Sequence, residues 1–231
     1  MNSEQFSSNS PHPMPIDHEQ WLSELHLCNF VNAYYQYRDL RSLGGGKSLL
    51  MVGPGQGIET AILRWQGFQV TTFDIDDKFQ PDVVGSVHDL GMFQAESFDA
   101  VVASHVLEHL PVTYLDQALA EIARVGRFAL VYLPVHGRHL QFRLKPGFGD
   151  IDKSAIIDLF NYMKKPTGLQ PDYMAGQHYW EVGMRGFRLH NLLGRFVQWF
   201  EVLQHYRNKD WLASHNFVLR SRHDGQNRGT L

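Results

Sequence analysis

The chain has 231 residues, 43% of them hydrophobic, and a formal net charge of -3 from 21 Lys plus Arg against 24 Asp plus Glu. This length suits one α/β domain with an insertion and allows a substantial buried core. The near-neutral charge gives no bulk attraction to nucleic acid or to an anionic membrane surface. The single cysteine, Cys28, excludes an internal disulfide and a cysteine metal cluster, and it fits a reducing compartment.

The two ends of the chain are predicted to be flexible tails. Residues 1–17 are polar and proline-containing, so they carry too little apolar surface to order themselves, and residues 223–231 are also polar. No apolar run approaches the roughly 18 residues of a membrane helix. The first residues lack the basic and apolar pattern of a signal peptide. We therefore expect one domain over 18–222, located in the cytoplasm.

A glycine turn organises the first half of the chain. The apolar run 48–50 leads into Gly53-Pro54-Gly55-Gln56-Gly57, and a helical pattern follows over 58–65, so a strand, a turn and a helix are predicted. Glycines at alternate positions allow a tight turn and let a ligand approach main-chain atoms that any Cβ would shield. The N-terminus of the helix adds partial positive charge. The stretch therefore predicts a nucleotide or nucleoside site.

A carboxylate follows the next predicted strand. The β-branched and aromatic run 69–73 ends at Asp74, 17 residues beyond Gly57, which returns the chain to the carboxyl edge of the sheet beside the glycine turn. A carboxylate there can accept hydrogen bonds from both hydroxyls of a ribose. The alternative is that Asp74 only caps a turn. Asp76 and Asp77 are predicted to be solvated turn acids.

Strands and helices alternate over most of the chain, which predicts an α/β fold with parallel strands and right-handed crossovers. The nearly all-apolar run 98–103 is typical of a central parallel strand. A helical pattern over 18–40 predicts one or two helices that cover one edge of the sheet. Apolar positions at helical spacing predict another helix over 154–165. Near the end, the runs 200–206 and 215–220 predict an antiparallel hairpin.

Four motifs, in this order, resemble those of class I S-adenosylmethionine-dependent methyltransferases. They are the glycine turn, Asp74, the Ser86-Val87-His88-Asp89-Leu90 segment and the stretch FDAVVASHVLEH at 98–109. The resemblance implies a Rossmann-like three-layer sandwich with a seven-stranded, mostly parallel sheet and an antiparallel C-terminal hairpin. It divides the expected domain into a helical cover, a cofactor-binding core, a substrate-side insertion, and a C-terminal helix with the hairpin, over 18–44, 45–135, 136–184 and 185–222.

The resemblance implies S-adenosyl-L-methionine as the cofactor and gives each motif a position beside it. The glycine turn would back the methionine moiety, the acid after the second strand would hold the ribose, and the next residue would pack on the adenine. The main chain of the third motif would meet the adenine edge, and the segment after the fourth strand would lie near the methyl group. The residues expected at the cofactor are Gly53, Pro54, Gly55, Gly57, Asp74, Ile75, Val87, His88, Ser104 and His105.

Two positions decide what this resemblance implies for catalysis. His105 would lie beside the methyl group, and it is the expected catalytic base where the acceptor needs one. Met51 stands where the family usually has an acid that helps hold the amino group of the cofactor, and nothing obvious in the sequence replaces that acid. A module of the same fold that binds the donor without catalysis, or that has lost binding, is therefore an alternative.

Two other motifs compete for the same residues. A nicotinamide-binding turn would need glycine where this chain has Ile58, and an NAD-type dinucleotide enzyme is kept as an alternative. The segment from His105 to His109 matches the H-x-x-E-H string of inverted zinc peptidases. That chemistry needs both histidines on one long helix and a third ligand, whereas Pro111 follows closely, so no metal is predicted. Glu108 and His109 are instead expected to bond to neighbouring loop backbone.

The irregular sequence beyond the fifth predicted strand is expected to select the acceptor. His136 follows that strand, and His178, Trp180 and Glu181 place a base, an aromatic ring and a carboxylate within four residues. Such a group suits a small-molecule or glycan-like acceptor that is methylated on oxygen or nitrogen, and it equally suits a loop pinned by packing and hydrogen bonds. Neither a membrane nor a nucleic acid partner is expected, and a homodimer is left open.

Overall fold

The computed structural model describes residues 25–146, 151–159 and 178–222, so both predicted tails lie outside the described residues. None of the helices in these ranges has the length and apolar character needed to cross a membrane. The helices are α1 (Leu27–Ser42), α2 (Ile58–Trp65), α3 (Val112–Val125) and α4 (Leu189–Phe196). The strands are β1 (Ser48–Val52), β2 (Gln69–Asp74), β3 (Val83–Val84), β4 (Phe98–Ser104), β5 (Gly126–Pro134), β6 (Arg138–Leu144), β7 (Lys153–Leu159), β8 (Phe200–Arg207) and β9 (Ser214–Ser221).

Seven of these strands form one mixed sheet in the order β3-β2-β1-β4-β5-β9-β8. The first five run parallel to their neighbours, whereas β9 pairs antiparallel with both β5 and β8. The predicted sheet and its antiparallel C-terminal hairpin are therefore confirmed. From β1 the chain adds β2 and β3 on one side, and it then crosses over to add β4 and β5 on the other side. The topological switch point therefore lies between β1 and β4. The crevice at the carboxyl ends of the strands at such a point is the usual ligand site of these sheets.

Helices cover both faces of the sheet because its central strands are apolar on both sides. Along β1, Leu50 and Val52 join the core that α3 and α4 close, whereas Leu49 and Met51 join the core on the side of α1 and α2. All four of these side chains are at most 3% exposed. This alternation produces the predicted three-layer sandwich.

Helix α1 is fixed to the sheet by a buried carboxylate. Asp39, only 2% exposed, accepts hydrogen bonds from the hydroxyl groups of Tyr132 on β5 at 2.7 Å and Tyr206 on β8 at 2.5 Å. Tyr35 on the same helix donates to Asp210 at 2.6 Å. The predicted helical cover is thus tied to three separate segments through polar contacts as well as apolar packing.

The helix predicted over 154–165 is wrong where the structure describes it. Lys153–Leu159 forms β7, which pairs antiparallel with β6 in a separate two-stranded sheet. The partner strand decides the conformation, because β6 alternates Leu140, Phe142 and Leu144 with polar residues and offers a full register from Arg138 to Leu144. The rest of the predicted helix lies outside the described residues.

Candidate functional site

A cavity of about 540 Å³ opens where the carboxyl ends of β1, β2 and β4 meet. Its volume lies within the range of small-molecule and cofactor pockets. It brings together most residues that the sequence predicts at the cofactor: Gly53, Pro54, Gly55, Asp74, Ile75, Val87, Ser104 and His105 all line it. Helix α1 contributes Cys28, Asn29 and Asn32 from the other side.

The glycine turn takes a backbone shape that requires glycine. Gly53, Gly55 and Gly57 have φ values of 65°, 52° and 76°, all in the left-handed region. A Cβ at Gly53 would also lie 2.5 Å from a methyl carbon of Val106. Gly57 does not line the cavity but is the N-terminal cap of α2. The turn therefore presents backbone rather than side chains at positions 53 and 55.

The end of β2 places two carboxylates at the cavity. Asp74 accepts a hydrogen bond from the backbone N–H of Asp76 at 2.9 Å, and both residues line the cavity. Asp76 is only 4% exposed, so the prediction of a solvated turn acid is wrong for it, whereas Asp77 is exposed. Asp76 lines the cavity together with its neighbours Ile75 and Phe79.

The third motif contributes Ser86 and Val87 to the cavity, while the ring of His88 lies elsewhere. His88 does not line the cavity; its Nδ1 lies 2.7 Å from Ser86 Oγ, and its ring packs on Tyr114 with centroids 4.6 Å apart. Burial lowers the pKa of His88, against a smaller opposing effect of Asp89. The side chain of His88 therefore supports the loop from behind.

His105 enters the cavity from a constrained position after β4. Its φ of 56° lies in the left-handed region, which residues other than glycine rarely adopt, although histidine does so more often than most. Its backbone N–H donates to Tyr132 O at 2.9 Å, its Nε2 lies 3.2 Å from Ser214 Oγ, and its ring packs on Trp211 with centroids 4.4 Å apart. The neighbouring Ser104 Oγ is buried without a hydrogen-bond partner among the described residues. His105 is therefore held in place by three different elements.

Three histidines surround the buried carboxylate of Glu108. Nδ1 of His105 lies 3.6 Å and Nε2 of His178 lies 3.9 Å from Glu108 Oε1, and the rings of His109 and His178 are 4.8 Å apart. The expected bonds from Glu108 to loop backbone are wrong for its side chain, since neither carboxylate oxygen has a hydrogen-bond partner in the described structure. Burial raises the pKa of Glu108, but the histidines outweigh that effect and hold it below its usual value.

The structure adds His178 to Glu108 and His109 as a possible third metal ligand, which the sequence did not predict. One ligand atom each of Glu108, His109 and His178 lies within 4.8 Å of the others. The two histidines come from segments far apart in sequence rather than from one long helix. The geometry therefore differs from that of the zinc peptidase motif, which needs its two histidines on one helix.

The predicted acceptor-side residues separate into three roles. His178 lines the cavity, whereas Glu181 lies behind it and is 2.8 Å from Nδ1 of both His178 and His136. Burial raises the pKa of Glu181, but these two histidines outweigh that effect and lower it overall. Trp180 is 0% exposed and stacks on Phe187 at 4.7 Å, so the structure places it in the core and away from the cavity.

The structure adds cavity residues that sequence reasoning missed. Glu59 lines the cavity from the first turn of α2, and its position two residues after the glycine turn was a readable signal. Asn29 and Asn32 reach the cavity from α1, for which the sequence predicted a cover on one edge of the sheet. Trp211 arrives from the β8–β9 connection, more than 100 residues after His105. No local pattern marks that last contact.

Comparisons with known proteins give the same fold and a family match. Residues 50–128 match the methyltransferase domain family. The fold resembles the CcbJ methyltransferase from Streptomyces caelestis, with a TM-score of 0.54 and 12% identity over 83% of this chain and 96% of that one. It also resembles the glycopeptide N-methyltransferase MtfA in complex with S-adenosyl-L-homocysteine, with a TM-score of 0.53 and 11% identity over 91% and 100% of the two chains.

A third similar structure is the N-terminal domain of EvdMO1, determined in the presence of S-adenosylhomocysteine and D-fucose. Its TM-score is 0.50, at 17% identity over 86% of this chain and 85% of that one. No curated protein sequence matches this chain significantly. These identities are low enough that the structural likeness shows the fold alone, and the family match is confined to residues 50–128.

Proposed function

We propose that this chain, which has the class I methyltransferase fold and whose residues 50–128 belong to the methyltransferase domain family, is an S-adenosylmethionine-dependent methyltransferase. The observation that carries the proposal is the cavity at the switch point of the sheet, lined by Gly53, Gly55 and Asp74 in the order that the family motifs imply. MtfA was crystallised with S-adenosyl-L-homocysteine, which supports the same class of ligand here.

Each part of the cavity suits one part of the donor. The bare backbone at Gly53 and Gly55 leaves room for the methionine chain, and Asp74 offers carboxylate oxygens to the ribose hydroxyls. Ile75 and Val87 give apolar surface for the adenine. When bound, S-adenosylmethionine supplies an electrophilic methyl group on its sulfonium.

The protein then has to align the acceptor with the methyl group and exclude water. His105 lines the cavity next to Ser104, and Ser214, Trp211 and Glu108 fix its ring. A fixed imidazole can take the proton from a hydroxyl or a protonated amine as the methyl group transfers. We assign this role to His105 and a supporting role to Glu108.

The acceptor in this proposal is a small polar molecule, such as a sugar or another compound with a free hydroxyl or amine. His109, His178 and Trp211 form a polar and aromatic wall on the side of the cavity next to His105. Imidazoles bind hydroxyl and amine groups by hydrogen bonds, and an indole ring packs on a sugar face. EvdMO1, which was crystallised with D-fucose, is one protein of this fold for which a sugar was present.

Calorimetric titration tests the proposal directly. S-adenosylmethionine, S-adenosylhomocysteine and NAD are titrated into the purified protein, and the first two are expected to bind while NAD is not. The release of S-adenosylhomocysteine is then followed with a panel of sugars and amines as acceptors. Binding of NAD alone would support the dinucleotide alternative. Binding of none of the three would mean that the chain is a module of this fold that does not bind the donor.

A further inference from the structure

One end of the cavity carries oxygen atoms that lack hydrogen-bond donors. Asn29 and Asn32 lie three residues apart on α1 and therefore on one face of the helix, and both line the cavity. The amide oxygen of each is withdrawn from water and has no hydrogen-bond partner among the described residues. Asn32 is only 4% exposed. Buried acceptors of this kind are costly unless a donor satisfies them.

A carboxylate lies among these amides. Gln36, on the same helix, donates its Nε2–H to Glu59 Oε2 at 2.5 Å, and Asn32 also bonds to Glu59. Burial raises the pKa of Glu59, while the bonds from Gln36 and Asn32 and the charge of His105 lower it in part. Gln36 and Asn32 thus hold the carboxyl group of Glu59 in place and bring no positive charge to it.

The cavity offers this carboxylate no permanent cation. Among the described residues that line it, none is lysine or arginine. Cys28 brings no positive charge either, because a thiol is neutral or anionic; burial and the charge of Glu59 raise its pKa. Among the described lining residues only histidines can carry a positive charge, so an ammonium group of the ligand is a suitable partner for Glu59.

We propose that Glu59, together with the amide oxygens of Asn29 and Asn32, binds the α-ammonium group of the methyl donor. This inference rests on the proposed function. An ammonium group has three N–H donors and one positive charge, which match two unpartnered amide oxygens and one carboxylate. The site lies beside the glycine turn, where the methionine chain of the donor would run.

The other acidic candidates do not fit this role. Asp74 and Asp76 lie at the end of β2, where the proposed function places the ribose of the donor rather than its methionine chain. Met51 is 1% exposed and packs in the core between the sheet and α1, so it brings no charge to the cavity. The carboxylate that the sequence lacks at position 51 is thus supplied from the first turn of α2.

The test compares S-adenosylhomocysteine with its analogue that lacks only the amino group, by calorimetry on the full chain. Glu59→Gln keeps the shape and the hydrogen-bonding side chain but removes the charge. We expect it to weaken S-adenosylhomocysteine at least tenfold and to leave the affinity for the desamino analogue within twofold. Asp76→Asn, which removes a cavity carboxylate at the other end, is the matched control and should leave the ratio of the two affinities unchanged.

Two results for Glu59→Gln would overturn the inference about Glu59, and a third result, for the wild type, would overturn the proposed function. Wild-type affinity for S-adenosylhomocysteine in Glu59→Gln would remove Glu59 from the site, and an equal loss for both ligands would show an indirect effect on the fold. Circular dichroism and the melting temperature establish that the variant is folded. Failure of the folded wild type to bind S-adenosylhomocysteine would overturn the proposed function itself.

Discussion

Asp74 is the single residue whose loss should affect the donor most directly. Its carboxylate lines the cavity at the end of β2 and would accept hydrogen bonds from the ribose hydroxyls. We expect Asp74→Ala to weaken S-adenosylhomocysteine by about 1.5–3 kcal/mol, the range for a hydrogen bond to a charged group. Calorimetry measures this loss, with the exposed Asp77→Ala as the control. Unchanged affinity in Asp74→Ala would place the ribose elsewhere.

His105 should matter for turnover rather than for binding. The substitution of choice is His105→Asn, because asparagine tolerates the φ of 56° that this position requires. Loss of a general base typically lowers turnover by about 10²–10⁴-fold, so we expect a fall in kcat of that order with donor affinity within about twofold. The measurement is steady-state kinetics with an acceptor identified in the panel. A variant with wild-type kcat would remove His105 from the mechanism.

At the scale of secondary structure, one buried carboxylate joins α1 to two strands. Asp39→Ala would leave the hydroxyl groups of Tyr132 and Tyr206 without their acceptor, and Tyr132 is fully buried. We expect a loss of about 2–4 kcal/mol in the free energy of unfolding, as for other broken buried networks. Urea denaturation measures it. The exposed Arg41→Ala on the same helix should change the free energy by no more than about 0.5 kcal/mol, and an equal effect of both would mean that helix content, not the network, was lost.

The C-terminal hairpin carries an acid-sensitive residue. His215 on β9 is 7% exposed, and burial together with the charge of His205 lowers its pKa to about 3. The unfolded chain binds a proton near pH 6.5, which the folded state does not accept until about pH 3. The contribution of His215 to stability is therefore complete above about pH 6.5 and is lost as the pH falls toward 3.

Between pH 7 and pH 5, His215 should thus reduce the free energy of unfolding by about 2 kcal/mol, at 1.36 kcal/mol for each pKa unit. Urea denaturation at the two pH values, in the wild type and in His215→Gln, isolates this contribution. The exposed His190→Gln is the matched control and should keep the wild-type pH dependence. The assignment fails if His215→Gln shows that dependence as well.

Predicting the secondary structure from the sequence succeeded where one periodicity dominated and failed where two competed. The apolar run before Ser104 and the alternation in β8 and β9 have no helical alternative, and both gave strands. Residues 153–159 have apolar positions that fit a helix, but they pair with β6 residues that lie 9–21 positions earlier in the chain, and this pairing outweighs local spacing. A local pattern cannot contain that information.

For the whole molecule, the sequence predicted the location of the site better than its polar chemistry. The glycine turn and Asp74 locate the cavity because the carboxyl ends of neighbouring parallel strands always meet at one edge. The contacts of Glu59 with α1, of His105 with Trp211 and of Glu108 with His178 join segments that are distant in sequence. Such contacts depend on how helices and loops pack on the sheet. The sequence identifies these residues as polar, but it does not show which of them contact one another.

The position of the cavity between the sheet and α1 implies that donor binding stabilises the whole molecule. Its lining comes from α1, from β1, β2 and β4, and from the β8–β9 connection, so a ligand that fills it contacts segments that separate on unfolding. A ligand at 100 times its dissociation constant adds about 2.7 kcal/mol to the free energy of unfolding.

For a chain of this length, each kcal/mol raises the melting temperature by roughly 2–4 °C. We therefore expect a rise of about 5–11 °C with saturating S-adenosylhomocysteine, measured by differential scanning calorimetry. NAD at the same concentration is the control and should leave the melting temperature unchanged. Asp74→Ala should reduce the rise at equal ligand concentration, because a weaker complex contributes less to stability. A larger rise with NAD than with S-adenosylhomocysteine would assign the cavity to a dinucleotide.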